Sequence, residues 1–237
     1  LKCLPTFAQC LKVLNNGTLP IKKWIGIMNK TILTLVLLSF AYHYCIAQIP
    51  IQVFGGNKAI EYNFLWYKDI DNKGKVNLFN FTFFTIDYQD QSRNAYEIYQ
   101  VATYNFTKNW GLAGGGRFTS GQFAPQIAIS YQLETKDLYL NIFPTFQYLS
   151  NQQQVGYSLF GLLFYKPKIN DTWKLFNQLA FEPLFNSKEH IYSYQQIRIG
   201  LEYKDLFQFG IGVNFEHIGI KFMTSNNIGL FIRKELD

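Results

Sequence analysis

Residues 195–216, QQIRIGLEYKDLFQFGIGVNFE, read as two β-strands joined by a tight turn at Lys204-Asp205. In the first, Ile197, Ile199, Leu201 and Tyr203 share one face, and Gln196, Arg198, Gly200 and Glu202 share the other. In the second, Phe207, Phe209, Ile211, Val213 and Phe215 oppose Gln208, Gly210, Gly212, Asn214 and Glu216. Side chains alternate across a strand, so a strict period of two marks strands with one apolar face.

The same pattern recurs in both directions. Ile60, Tyr62, Phe64 and Trp66 oppose Glu61 and Asn63; Ile127, Ile129, Tyr131 and Leu133 oppose Gln126, Ser130 and Gln132. Trp173, Leu175, Leu179 and Phe181 oppose Lys174, Gln178 and Glu182, and Ile228, Leu230 and Ile232 oppose Gly229 and Arg233. Two stretches break the rule: 76–88 alternates only weakly, and 155–165 is apolar on both faces. No helical period follows residue 48. The segments number eleven, and a short strand at 49–54 with a turn at 55–58 makes twelve; ten is the alternative. Connectors near 107–109, 134–137, 168–172 and 204–205 are short. Those at 89–94, 119–122, 150–154, 186–190 and 217–226 read as longer outside loops.

The leader reads differently. MNKTILTLVLLSFAYHYCIAQ, starting at Met28, has a basic residue, an apolar core and small residues before Gln48, the form of a cleavable signal peptide over 28–47. Residues 1–27 read as an unstructured or non-native upstream extension, and 48–237 as one domain of about 190 residues. Five of the 22 basic residues precede Gln48, leaving 17 against 16 acidic ones. The domain therefore carries no basic surplus for nucleic acid. Cys3, Cys10 and Cys45 also precede Gln48, so disulfide, thiolate and Cys-metal chemistry are excluded from it.

Charge placement chooses lipid over water. Most charged residues fall in or beside connectors, while the polar faces are Gly, Asn, Gln, Ser and Thr. A soluble sheet would carry Lys and Glu across its solvated face. Segments of about 9–11 residues match the length a membrane-crossing strand needs. Trp66, Trp110, Tyr131, Trp173 and Tyr203 near strand ends suit interface girdles.

On this repeated alternation, residues 48–237 resemble a porin-like bacterial outer-membrane β-barrel, with Tyr/Phe/Asn-rich strands similar to those of Bacteroidota. The resemblance implies a closed all-β, antiparallel up-and-down transmembrane barrel in the Gram-negative outer membrane. It also implies contact with membrane lipid and lipopolysaccharide, and insertion by the barrel-assembly machinery. Such chains often end on an aromatic residue, whereas this one ends Glu235-Leu236-Asp237.

The strand phases aim Glu61, Glu97, Arg117, Lys174, Glu182, Arg198, Glu202 and Glu216 at the lumen. Mixed charge there suits a narrow passive channel for small polar solutes, without enzymatic activity, metal or cofactor. The alternative is a structural or surface-interaction barrel with a closed interior. Small inward residues (Ala128, Ser130, Gly200, Gly210, Gly212) suggest open space. Gly114-Gly115-Gly116-Arg117 lacks the following Lys-Ser/Thr of a phosphate loop, and 69–74 reads as a polar turn despite its spaced aspartates. A lipid hydrolase is the remaining reading, with His190 and His217 as its only histidines, near Ser187, Ser193 and Ser225; both read as solvated loop residues.

Overall fold

The computed structural model describes residues 49–71, 73–119 and 122–236. The upstream extension, the signal peptide, Gln48 and Asn72 of the polar turn lie outside them. The strands in chain order are β1 (Ile49–Gly56), β2 (Ala59–Asp69), β3 (Val76–Asp87), β4 (Ala95–Asn105), β5 (Trp110–Thr119) and β6 (Gln122–Glu134). They continue with β7 (Leu138–Leu149), β8 (Gln154–Tyr165), β9 (Trp173–Asn186), β10 (His190–Tyr203), β11 (Phe207–Ile218) and β12 (Met223–Leu236). Neighbours in sequence pair antiparallel, and β1 closes on β12 from Ile49↔Leu236 to Gly56↔Gly229. Closure leaves no sheet edge, the condition for crossing hydrocarbon with strands.

The opening stretch shows how the residues make the wall. Lys204 and Asp205 both take positive φ, 50° and 58°, and Leu206 N donates to Tyr203 O at 3.0 Å. This is the primed turn whose twist matches two right-twisted strands. Beyond it Ile211 pairs with Leu230, and these side chains are 62% and 67% exposed on the outer face. Their neighbours on the inner face, Gln208 and Arg233, are buried. An outer face of exposed Leu, Ile and Phe is a lipid-facing surface. Near the end where β1 begins and β12 finishes, called the terminal end below, Trp110 packs on its cross-strand partner Tyr131 at 4.8 Å, and Trp173 on Tyr203 at 4.9 Å.

The loops differ from the sequence expectation. Connectors at the terminal end span 70–75, 106–109, 135–137, 166–172 and 204–206; those at the other end span 57–58, 88–94, 120–121, 150–153, 187–189 and 219–222. The two ends do not differ in connector length. Residues 217–226 are not a long loop: β11 and β12 stay paired to Ile218↔Met223. Polar residues near the strand ends, such as Asn226 and Ser225, imitate loop composition because that rim meets water. In the 69–74 turn, Asp71 accepts from Val76 N at 2.9 Å and Asp69 from the Tyr67 hydroxyl at 3.3 Å, so both carboxylates shape the turn.

Placing Arg at Ile211 puts a charge on the lipid face near mid-strand. Ile211→Arg is expected to lower the unfolding free energy in lipid vesicles by roughly 2–4 kcal/mol. Denaturant titration followed by tryptophan fluorescence checks this, and an unchanged midpoint contradicts the assigned outer face.

Candidate functional site

The inward faces divide the barrel into three levels. The middle level is apolar. Phe54 of β1, Phe79 and Phe81 of β3, Tyr99 of β4, Phe143 of β7, Phe160 and Leu162 of β8, and Phe176 of β9 are all fully buried. Phe231 of β12 and Tyr194 of β10 join the same cluster. Tyr99 stacks on Phe160 at 5.1 Å, Phe79 meets Phe143 and Phe160 at 5.6 Å, and Phe176 meets Phe231 at 5.5 Å. Such ring pairs add about 0.5–1.5 kcal/mol each beyond their buried area. Side chains lining an open aqueous bore would be exposed to it. These are not, so the waist is packed shut.

Most of this layer was missed from sequence. Its signal lay in the two stretches that break alternation. An outer face already covered by lipid-facing residues leaves a second apolar face only the lumen to fill, and β3 and β8 supply four of the rings and aliphatics named above. The small inward residues do not leave open space either. Ala128 packs into the apolar cluster. A Cβ at Gly212 would stand 2.7 Å from Arg198 Cδ, so the glycine provides the bed on which Arg198 lies.

Arg198 is completely buried, its guanidinium 4.1 Å above the Phe54 ring. Its Nη1 donates to Asn214 Oδ1 at 2.7 Å, and Nη2 lies 3.5 Å from Glu61 on the far side of the β1–β12 seam. Glu61 also accepts from Gln196 at 3.0 Å, Asn63 at 2.9 Å and Asn214 at 2.9 Å. Arg117 lies between two carboxylates, bonded to Glu182 and 3.4 Å from Glu97, with Tyr99 beneath it at 5.6 Å. Glu216 is half-buried and accepts from the Tyr192 hydroxyl at 3.1 Å. These residues form the level above the waist, away from the termini.

Below the waist, Glu202 meets Lys166 at 2.7 Å and Lys174 at 3.6 Å, while Lys174 also binds Asp205. Lys166 reaches Glu235 at 3.4 Å, and Arg233 lies over Phe164 at 4.9 Å. Thus six of the eight inward ions fall in the upper level and two, Lys174 and Glu202, in the lower. Two mouths remain. The upper is a cavity of about 790 Å³ lined by Glu61, Glu97, Arg117, Gln147, Tyr192 and Glu216 among others. The lower, of about 240 Å³, is lined by Tyr139, Lys166, Lys174, Glu202 and Glu235.

Closure, outer face and charged interior together define a transmembrane β-barrel of twelve antiparallel strands. No protein-family model matches the sequence, and no curated protein matches it. Among solved structures it is similar to the KdgM porin, at 10% identity and a TM-score of 0.45 over 80% of this chain and 99% of that one. The NanC porin gives 12% identity and 0.46, over 80% of this chain and all of that one. OmpT of Vibrio cholerae gives 8% and 0.38, over 80% and 96%. Likeness at this level transfers no solute or activity to this chain.

Removing the Arg117 charge strands two buried carboxylates. Arg117→Met is expected to destabilise the barrel by about 3–5 kcal/mol, and adding Glu97→Gln and Glu182→Gln to recover much of it. Denaturant midpoints of the single and triple variants check this; a triple variant no better than the single contradicts the pairing.

Proposed function

We propose that the chain is a narrow passage for small polar solutes, shut at its aromatic waist in the conformation described. The observation that carries this reading is the arrangement of two mouths, each lined in part by charged residues, on either side of an apolar layer. A barrel used only as a scaffold has no need of a 790 Å³ cavity into which Glu61, Glu97, Arg117 and Glu216 point. Twelve strands stand between small barrels filled by side chains and wide ones that hold an aqueous channel, so the passage is narrow. Glu61, Glu97, Glu182 and Glu216 face Arg117 and Arg198 in the upper level, which is not a ring of one sign. Such lining suits neutral or zwitterionic solutes better than strongly anionic ones.

Residues 28–47 direct export, 48–237 form the mature barrel, and 1–27 stand outside it. The termini face the periplasm, the upper mouth faces outside, and lipopolysaccharide and the assembly machinery are the partners this setting brings. Affinity to Bacteroidota barrels rests on strand composition. No step in the lumen is enzymatic. A second reading, a structural barrel with a permanently closed interior, is favoured by the complete burial of the waist rings.

Planar-bilayer conductance separates the two. The wild-type barrel is expected to give rare, small steps, and Phe81→Ala with Phe160→Ala larger and more frequent ones. A double variant as silent as wild type, with insertion confirmed by heat-modifiable gel mobility, overturns the passage in favour of the structural barrel.

A further inference from the structure

His190 and His217 both lie on strands rather than in solvated loops, and His190 makes a contact unrelated to the lumen. His190 opens β10 and is 6% exposed; Ser193, three residues on, is 7% exposed. Residues three apart on a regular strand face opposite ways. Here the β9–β10 register slips between His190 and Tyr192. Ser193 faces outward in phase with Ile197 and Ile199, and the bulge brings His190 to the same face, the re-aiming that bulges beside functional sites provide. His190 pairs with Phe185, and Ser193 with Pro183 and His217; Glu182, Leu184 and Tyr194, their neighbours along the strands, point inward.

The hydrogen bonds fix the chemistry of the pair. His190 Nδ1 lies 3.0 Å from Gly219 O, a carbonyl that only accepts, so Nδ1 carries the proton. In the neutral ring Nε2 then holds a lone pair. Ser193 Oγ lies 2.6 Å from it and donates. A serine hydroxyl bonded to an imidazole whose tautomer is held by a third group is the arrangement that activates a nucleophile.

The geometry points to Ser193 and His190 as a nucleophile and base on the outer wall, acting on the acyl esters of membrane lipid. Position selects the substrate. The surrounding outer face is apolar, with Phe185, Ile220, Phe222 and Met223 exposed, at the rim opposite the termini. Esters that meet an apolar wall just inside its rim are those joining lipid acyl chains to their headgroup backbone. The Phe222 ring stacks on His190 at 4.4 Å and is itself half exposed, on the 219–222 turn with φ 46°. Rotation of that ring uncovers the His190 imidazole.

In the first step Ser193 Oγ bonds to the ester carbonyl carbon as its proton passes to His190 Nε2. The carbonyl electrons move onto oxygen. Their return breaks the bond to the alcohol, which leaves with the proton from Nε2. Water then attacks the acyl-serine, giving its proton to Nε2; the acyl–Oγ bond breaks, releasing fatty acid, and Oγ recovers the proton. His217 stands across from Ser193 on β11, with its Nδ1 3.1 Å from Thr224 Oγ1. This site is independent of solute passage.

The test uses the refolded chain in phosphatidylethanolamine–phosphatidylglycerol vesicles, with a fluorophosphonate probe and a fatty-acid release assay. Wild type is expected to be labelled at Ser193, located by peptide mass spectrometry, and to release fatty acid. Ser193→Ala should abolish both, His190→Asn should slow release about 100-fold or more, and Phe222→Ala should speed labelling. A structural role for the pair would move stability and leave no labelled serine. Folded wild type that is neither labelled nor lipolytic overturns the proposal, as does release unchanged in Ser193→Ala. If Ser193→Ala does not fold, labelling of wild type at any other serine, or none, overturns it equally.

Discussion

Hydrocarbon offers no hydrogen bonds, and from that one constraint the rest of this structure follows. Each backbone N–H and C=O of a strand in lipid needs a partner on a neighbouring strand, so the twelve strands close, and β1 meets β12. Closure has a second consequence. A ring of twelve encloses more space than its smaller inward residues occupy, and the space must hold either water or side chains. This chain fills its middle with rings and leaves both ends polar.

The charged residues are arranged around that decision. An arginine buried against rings loses its hydration, and only close carboxylates and amides replace it. Arg198 has Asn214 on the next strand and Glu61 on β2, and Arg117 has Glu97 on the next strand and Glu182 on β9, so Arg198–Glu61 and Arg117–Glu182 join strands that are not sequence neighbours. The pairs therefore tie opposite arcs of the wall together across the lumen, just above the rings. Below them Lys166 and Lys174 draw β8, β9 and β10 together through Glu202. Ion pairs and waist are one construction. Moving the rings disturbs the cations stacked on them, and removing a cation frees carboxylates beside an apolar layer.

The barrel was legible because alternation is local: each strand declares its lipid face without knowledge of its partners. The inward direction of Arg198 and Glu202 followed from phase in the same way. Who they meet did not, since Glu61 and Arg198 are 137 positions apart and only closure brings them together. The waist was half legible. The double-faced apolar runs of β3 and β8 announced an inner apolar face, but Phe143 and Phe231 each stand alone among polar inward neighbours. Loop lengths misled because strand ends that reach water carry loop-like residues. The His190–Ser193 contact could not be read at all, because it depends on a one-residue slip in register that leaves no mark in the sequence.

Thiol protection tests the closed waist most directly, because residues 48–237 contain no cysteine to confuse it. Ala128→Cys and Ala180→Cys place single thiols in the waist, and Thr85→Cys places one in the upper mouth. With a membrane-impermeant charged thiosulfonate added to barrels in vesicles, the upper thiol is expected to react within minutes and both waist thiols to remain protected until the barrel unfolds. Rapid modification of the waist thiols in the folded barrel would mean a continuous aqueous bore, and would contradict the account.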